Sequence, residues 1–483
     1  MSKLRRSLVI NFFTSSGAAG LQFIVSILLA RLLSPSEIGV YSMTLVFVNI
    51  AHMFRDFGVG SYLQREPDLT PDKIRSAIGV LYTSTWVMAA FLYLVSGAIA
   101  AWFKEPGMVP IMRLLAFGFL LIPFGAVTNS MLVRELDADK QAVISMAGTL
   151  SYCASCITLA ALGCGTLSLA WANLISNAVI AVVSLPYRPA GLPWLPSFRN
   201  WKGITNFGMG TLLTNCCAAL NNSIPDVLLG KMGNARQVGL LSRANSTVLL
   251  FAYVAGSAIS YGAVSYMSQI YHRGESLVPM LRRATALLTG IGWPAYALTT
   301  MLGHDIVVTL YSEKWVDCVP AMLPLTIASA VSMLFHYAQP AVTAIGRPYL
   351  SAMPLMVTIA SRVVFGYVLY DGTLVTFAWA ICAATIAAAP VIMWQMRHHL
   401  GFVTRDIIEA TRNSLVVTAI CVAGCALLLL VIPASIGSPA RLALLAVPLV
   451  LLWYGALRLT RHELVGEVHH LASGLKTRLL RFT

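Results

Sequence analysis

Apolar runs about twenty residues long recur along this chain, and the charged residues collect in short segments between them. Two such runs are GFLLIPFGAVTNSMLV, residues 118–133, and VVTAICVAGCALLLLVI, residues 416–432. A helix of ~20 residues rises ~30 Å, the thickness of a bilayer's hydrocarbon core. The pattern predicts fourteen spans, near 8–33, 38–63, 78–102, 110–133, 142–163, 167–187, 206–229, 238–267, 284–303, 320–344, 350–370, 373–396, 413–433 and 439–459. The connections are short, so no extramembrane domain is expected. Although MSKLRRS is basic, the apolar stretch after it runs to Leu33 without a small-residue cleavage site, and reads as a retained first span. The fold class is an all-α polytopic membrane protein.

Composition sharpens the picture. Of the 483 residues 58% are hydrophobic and 11% charged, where a soluble chain carries about a quarter charged. The net charge of +14 is explained by where the bases lie. If the N-terminus is cytoplasmic, 23 of the 33 Lys and Arg fall in inner segments and five (Lys104, Lys231, Arg236, Lys314, Arg441) in outer ones. That asymmetry is the positive-inside signal, and it puts both termini in the cytoplasm; nucleic acid is not needed as a partner. Eight of the nine cysteines are expected within spans and Cys318 in a connection. Cys153 and Cys156 have CxxC spacing without a second pair or a neighbouring His, so neither a metal nor any other cofactor is expected. Beyond the last span, Leu464, Val468, Leu471, Leu475 and Leu479 recur at helical spacing, as in a helix lying on the inner leaflet.

The chain also repeats itself. LLARLLSPSEIGVYS, Leu28 to Ser42, returns 200 residues later as LLGKMGNARQVGLLS, Leu228 to Ser242. Six spans separate the copies, so both have the same orientation, as in a parallel repeat of two six-helix lobes around a central site. The expected divisions are 1–188 and 189–400 for the pseudo-symmetric lobes, 401–460 for two further helices and 461–483 for the tail. Polar residues keep the register. Asn11, Ser15, Gln22 and Ser26 on span one are matched by Thr211, Asn215, Asn222 and Asp226 on span seven. Each set holds one helix face, and polar faces are costly against lipid, so both are expected to line a shared cavity.

Few charges enter the spans, which makes each one a candidate. Asn49, His52 and Asp56 share a face of span two, with Arg55 at its margin. Arg55 and Asp56 read either as a structural pair or as cavity groups. Arg362 lies about 18 Å into span eleven, near the midplane, and is the strongest cavity candidate. Arg243 is placed to reach either the cavity or the outer interface, and Arg113 reads as an interfacial anchor. His336 sits mid-span with Ser332, Gln339 and Thr343 on one face. His52 and His336 are the candidates for coupling to protons.

These stretches carry a resemblance. ARLLSPSEIGVYSM, FRDFGVGSYLQRE and PDVLLGKMGNARQVGLLSRA, within fourteen spans, resemble bacterial polysaccharide flippases of the Wzx type. That group is the polysaccharide-transport branch of the multidrug/oligosaccharidyl-lipid/polysaccharide exporter superfamily. The resemblance implies two lobes in a V with two appended helices. It also implies transfer of undecaprenyl-pyrophosphate-linked oligosaccharide from the cytoplasmic to the periplasmic leaflet of the inner membrane, for exopolysaccharide, capsule or O-antigen. The lipid bilayer and, within such an assembly system, polymerase and chain-length proteins are the implied partners. The headgroup would sit on basic cavity residues, for which Arg362, Arg55 and Arg243 are fitted, because an arginine fork matches phosphate oxygens. Asp56, Asp226, Asn215, Asn222 and Gln22 complete the expected lining. The competing reading is an ion-coupled drug or metabolite exporter of the same superfamily. An enzyme is not expected, since no connection is long enough for a soluble active site.

Overall fold

The computed structural model describes residues 3–56, 59–66, 68–189, 192–193, 196–197, 219–260, 263–433 and 435–467. The described residues form α-helices joined by turns, with two short 3₁₀ segments and no strand among them. Eleven helical stretches among the described residues are long and apolar enough to cross a membrane. The chain is a multi-pass membrane protein. Large apolar side chains point outward mid-helix, such as Phe13 at 70%, Leu94 at 78% and Leu415 at 55% exposure. In water such a surface would aggregate; in lipid it is solvated.

The chain divides into two compact units, Met1–Gly239 and Leu240–Thr483. In the first, α1 (Lys3–Leu32) packs on α6 (Ala138–Ala161), and α6 on α7 (Leu167–Ser184). Helix α2 (Pro35–Asp56) lies against α4 (Pro71–Phe103) and α5 (Met108–Arg134), which pack on each other. The short α3 (Val59–Arg65) rests on α5, where Arg134 Nη1 donates to the carbonyls of Leu63 and Glu66 at 2.9 and 2.6 Å. Those are carbonyls at a helix end that have no partner within the helix. Helix α8 covers 219–232, and α9 (Ala235–Ser260) begins in this unit.

The repeated motif builds the starts of α2 and α9. Glu37 accepts from the Ser34 N–H and hydroxyl, both at 2.8 Å, while the Glu37 N–H donates to Ser34 Oγ at 3.3 Å. This is a reciprocal capping box. In the second copy the Gln237 N–H donates to Asn234 Oδ1 at 3.0 Å. Two residues after each acid or amide comes a glycine, and the two glycines meet. A Cβ on Gly39 would overlap the Ala235 carbonyl, and one on Gly239 the Pro35 carbonyl. The repeat therefore encodes a helix cap followed by a point where one backbone passes against another.

The second unit holds α10 (Ala263–His272), α11 (Val278–Met301), α12 (Gly303–Leu310), α13 (Val319–Leu334), α14 (Ala338–Ala344), α15 (Ala352–Leu369), α16 (Leu374–Leu400), α17 (Thr404–Val431) and α18 (Ser438–Leu459). Helix α11 packs on α17 and α13, α16 on α13 and α15, and α18 on α17 and α12. Leu302, Ile306, Cys425, Leu445 and Leu449 close the core between α12, α17 and α18.

Three local expectations change. The tenth span is not one helix: α13 ends at Leu334 and α14 starts at Ala338. Pro340, lacking an N–H, cannot bond back to the turn at 335–337. The connection at 303–319 is largely helical, as α12 and a 3₁₀ turn, Glu313–Cys318. Cys164 lies exposed in the α6–α7 turn, whereas Cys318 is buried. Pro123, Pro294 and Pro390 sit inside continuous helices. Most of the inner-surface tail lies outside the described residues.

Candidate functional site

In the first unit the charged face of α2 is built by three helices. His52 and Arg55 are one turn apart and half-buried. Their side chains meet, Arg55 Nη1 lying 3.1 Å from His52 Nδ1. The imidazole stacks on Phe119 of α5, with ring centroids 4.4 Å apart and planes 24° apart. Ser84 of α4 donates its hydroxyl to the Arg55 carbonyl at 2.7 Å. Asn49 is exposed one turn earlier on the same helix. Asp56 is the last residue of α2, with its side chain outside the described residues, so the expected Arg55–Asp56 pair has no described geometry.

The polar stripes are described in part. On α1, Gln22 and Ser15 are exposed, while Asn11 and Ser26 are half-buried. On α8, Asn222 is exposed and Asp226 half-buried. Asn215 lies outside the described residues.

In the second unit Arg243 is clasped by aromatic rings. Its guanidinium carbon is 5.7 Å from the Tyr311 ring centroid and 5.8 Å from that of Trp315. Trp315 is fully buried and Tyr311 nearly so, and the Tyr311 hydroxyl lies 3.4 Å from Thr247 Oγ1. A desolvated cation–π arrangement of this kind is worth ~2 kcal/mol. Of the two directions open to Arg243, the structure shows it turned toward the segment after α12. Arg362 is half-buried near the middle of α15, about 15 Å from its first residue at 1.5 Å per residue. Thr358, one turn before it, turns its hydroxyl to the Pro354 carbonyl at 2.8 Å. His336 does not share a helix face with Ser332 and Gln339. It is exposed in the turn between α13 and α14, edge-on to Tyr337 with centroids 5.1 Å apart. Arg113, expected as an anchor, lies over the Tyr93 ring at 4.9 Å and donates to Ser96 Oγ at 3.3 Å.

Sequence reasoning missed Phe119, Ser84, Tyr311 and Trp315. Nothing in the local pattern marks Phe119 or Ser84 among the many apolar and small residues of their spans. The aromatic pair in a polar connection was a usable signal, since Trp and Tyr outside a span need a reason to be buried. Among the described residues no group of three His, Cys, Asp or Glu gathers as a metal site would require. Within each unit arginines are held by apolar helices, and a guanidinium's donors suit an anionic group.

A family model described as polysaccharide biosynthesis protein matches residues 28–320. The succinoglycan biosynthesis transport protein ExoT of Rhizobium meliloti (strain 1021) is 24% identical over 325 residues, 66% of this chain and 64% of that protein. The lipopolysaccharide biosynthesis protein WzxC of Escherichia coli (strain K12) is 19% identical over 308 residues, 63% of this chain and 62% of that protein. The chain thus spans less than two thirds of the length of each. Among solved structures, the lipid II flippase MurJ in an inward closed conformation matches with a TM-score of 0.75 at 12% identity, covering 95% of this chain and all of that one. At that identity the match establishes the fold alone, which is shared with MurJ.

Proposed function

The chain belongs to the polysaccharide biosynthesis protein family, and on that premise we propose that it flips a lipid-linked oligosaccharide across the membrane. The substrate is an undecaprenyl-pyrophosphate-linked repeat unit. It moves from the cytoplasmic to the periplasmic leaflet of the inner membrane, by alternating access between two six-helix lobes in a fourteen-span chain with both termini cytoplasmic. The observation that carries the reading is the set of arginines held inside apolar helices, Arg55 on α2, Arg243 on α9 and Arg362 on α15. Each guanidinium stays charged and presents a fork of donors matched to phosphate oxygens. A polyprenyl tail can remain in lipid, while the pyrophosphate and sugars need such a lined path through ~30 Å of hydrocarbon. Positioned cations lower that barrier without chemistry. Arg362 and Arg55 contact the headgroup; Asp56, Asp226, Asn215, Asn222 and Gln22 line the path. The relatives' names support the polysaccharide class of cargo, and the lipid II flippase neighbour supports the fold's capacity for a lipid-linked one.

The test is a strain lacking this protein, in which lipid-linked oligosaccharide is quantified by leaflet alongside surface polymer. Accumulation on the cytoplasmic leaflet, reversed by the wild-type chain and not by Arg362→Ala, is the expected result. Intact surface polymer with no accumulated intermediate would overturn the proposal and favour a drug or metabolite exporter. Full complementation by Arg362→Ala would remove that residue from the path.

A further inference from the structure

We propose that His52 is the positioning residue for Arg55, aiming its guanidinium at the anionic headgroup, and is not a proton-coupling group. The inference builds on the flippase reading. A guanidinium has donors and no acceptor, so the 3.1 Å contact between Arg55 Nη1 and His52 Nδ1 requires the imidazole nitrogen to accept. His52 is therefore neutral, with its proton on Nε2. The ring plane is set by its stack on Phe119, at 4.4 Å and 24°, and Phe119 is itself 1% exposed in the α5 core. A fixed ring plane fixes the direction of the Nδ1 lone pair, and so the direction from which Nη1 approaches. The backbone under Arg55 is held as well, through Ser84 Oγ on α4.

The result is a long, rotamer-rich side chain constrained at both ends by three helices before any ligand arrives. One Nη1 hydrogen is directed to His52, and a guanidinium carries five N–H donors in all, a fork whose geometry matches phosphate oxygens. Preorganisation of this kind improves binding by removing the ordering cost from the binding step. A proton arriving at Nδ1 would delete the bond and leave two cations 3.1 Å apart. The arrangement suits a neutral orienting imidazole and is ill suited to a group that must cycle its charge.

The experiment uses the full-length protein in detergent and geranylgeranyl pyrophosphate as the probe, titrated by calorimetry, with fluorescence-detected melting to confirm that each variant is folded. His52→Phe keeps the aromatic stack and removes the acceptor; His52→Gln keeps an acceptor and removes the titration. Arg55→Leu is expected to weaken binding at least about tenfold through loss of a charge-assisted contact. His52→Phe should weaken it about fivefold, the scale of one side chain's ordering cost. His52→Gln should stay within about twofold of wild type by the same reasoning. On the Arg55→Leu background, His52→Phe should have no further effect, because its influence passes through Arg55. Equal damage from Gln and Phe, or an additive double variant, would overturn the positioning role while leaving the flippase reading intact. A wild-type protein that binds the probe no better than Arg55→Leu would overturn the headgroup site itself, and the inference with it.

Discussion

Asp305 offers a direct test of how the last helix is attached. Its carboxylate sits in the first turn of α12, 6% exposed, and faces the first turn of α18. One oxygen accepts from Ser438 Oγ at 2.9 Å and the other from Arg441 Nη1 at 3.1 Å. The anion also lies at the positive end of the α18 helix dipole. Arg441→Met leaves the carboxylate buried with Ser438 as its remaining described donor. Breaking a buried pair from one side costs ~3–5 kcal/mol. The Arg441 side chain is 17% exposed, so water recovers some of this and we expect about 2–3 kcal/mol. Asp305→Asn keeps an acceptor for Ser438 and should cost about 1–2 kcal/mol. In the double variant neither charge is stranded, and the loss should not exceed that of Arg441→Met, a coupling of about 1–2 kcal/mol. The assay is fluorescence-detected melting in detergent at fixed scan rate, because unfolding of such a protein is irreversible. At ~2–4 °C per kcal/mol, Arg441→Met should lower the midpoint by roughly 4–12 °C. An unchanged midpoint, or a double variant that equals the sum of the singles, would refute the argument.

Other outcomes follow from the same structure. Gly39→Ala should lower the melting midpoint by several degrees, since its methyl must displace the Ala235 carbonyl, whereas Gly97→Ala in α4 meets nothing within 4 Å and should gain ~0.5–1 kcal/mol of helix propensity. Membrane-impermeant maleimide applied to spheroplasts should label exposed Cys164 and spare buried Cys318; labelling of Cys164 only after lysis would invert the proposed topology. Burial holds His462, beyond the last span, below the usual imidazole range; its Nδ1 accepts the Leu464 N–H at 3.2 Å and its Nε2 lies 3.0 Å from Ser414 Oγ. As pH falls below ~6.5 the unfolded chain takes up the proton first, so stability should be full above that value and decline below it. Melting scans at pH 7.5 and 5.5 should show that decline in wild type and a smaller one in His462→Gln.

What the residue pattern determined by itself was the membrane class, the approximate positions of the helices and the repeat. Each is a local property: a run of ~20 apolar side chains needs no partner to prefer lipid, and its backbone must close its own hydrogen bonds there. The capping box of Ser34 and Glu37 was written within four residues, as were Asn234 and Gln237. Even the glycines at 39 and 239 were visible as a repeat, though their meaning was not. Only the tertiary structure brought Gly39 against the Ala235 carbonyl, across almost two hundred residues. It placed Phe119 under His52, Ser84 under the Arg55 carbonyl, and Trp315 beside Arg243. It also broke the tenth span at 335–337 and took His336 off the helix face that periodicity had drawn. Hydropathy says which segments leave water, but inside the bilayer every neighbour is apolar. Which polar groups meet is decided there by helix packing, where single contacts between distant residues outweigh any local preference.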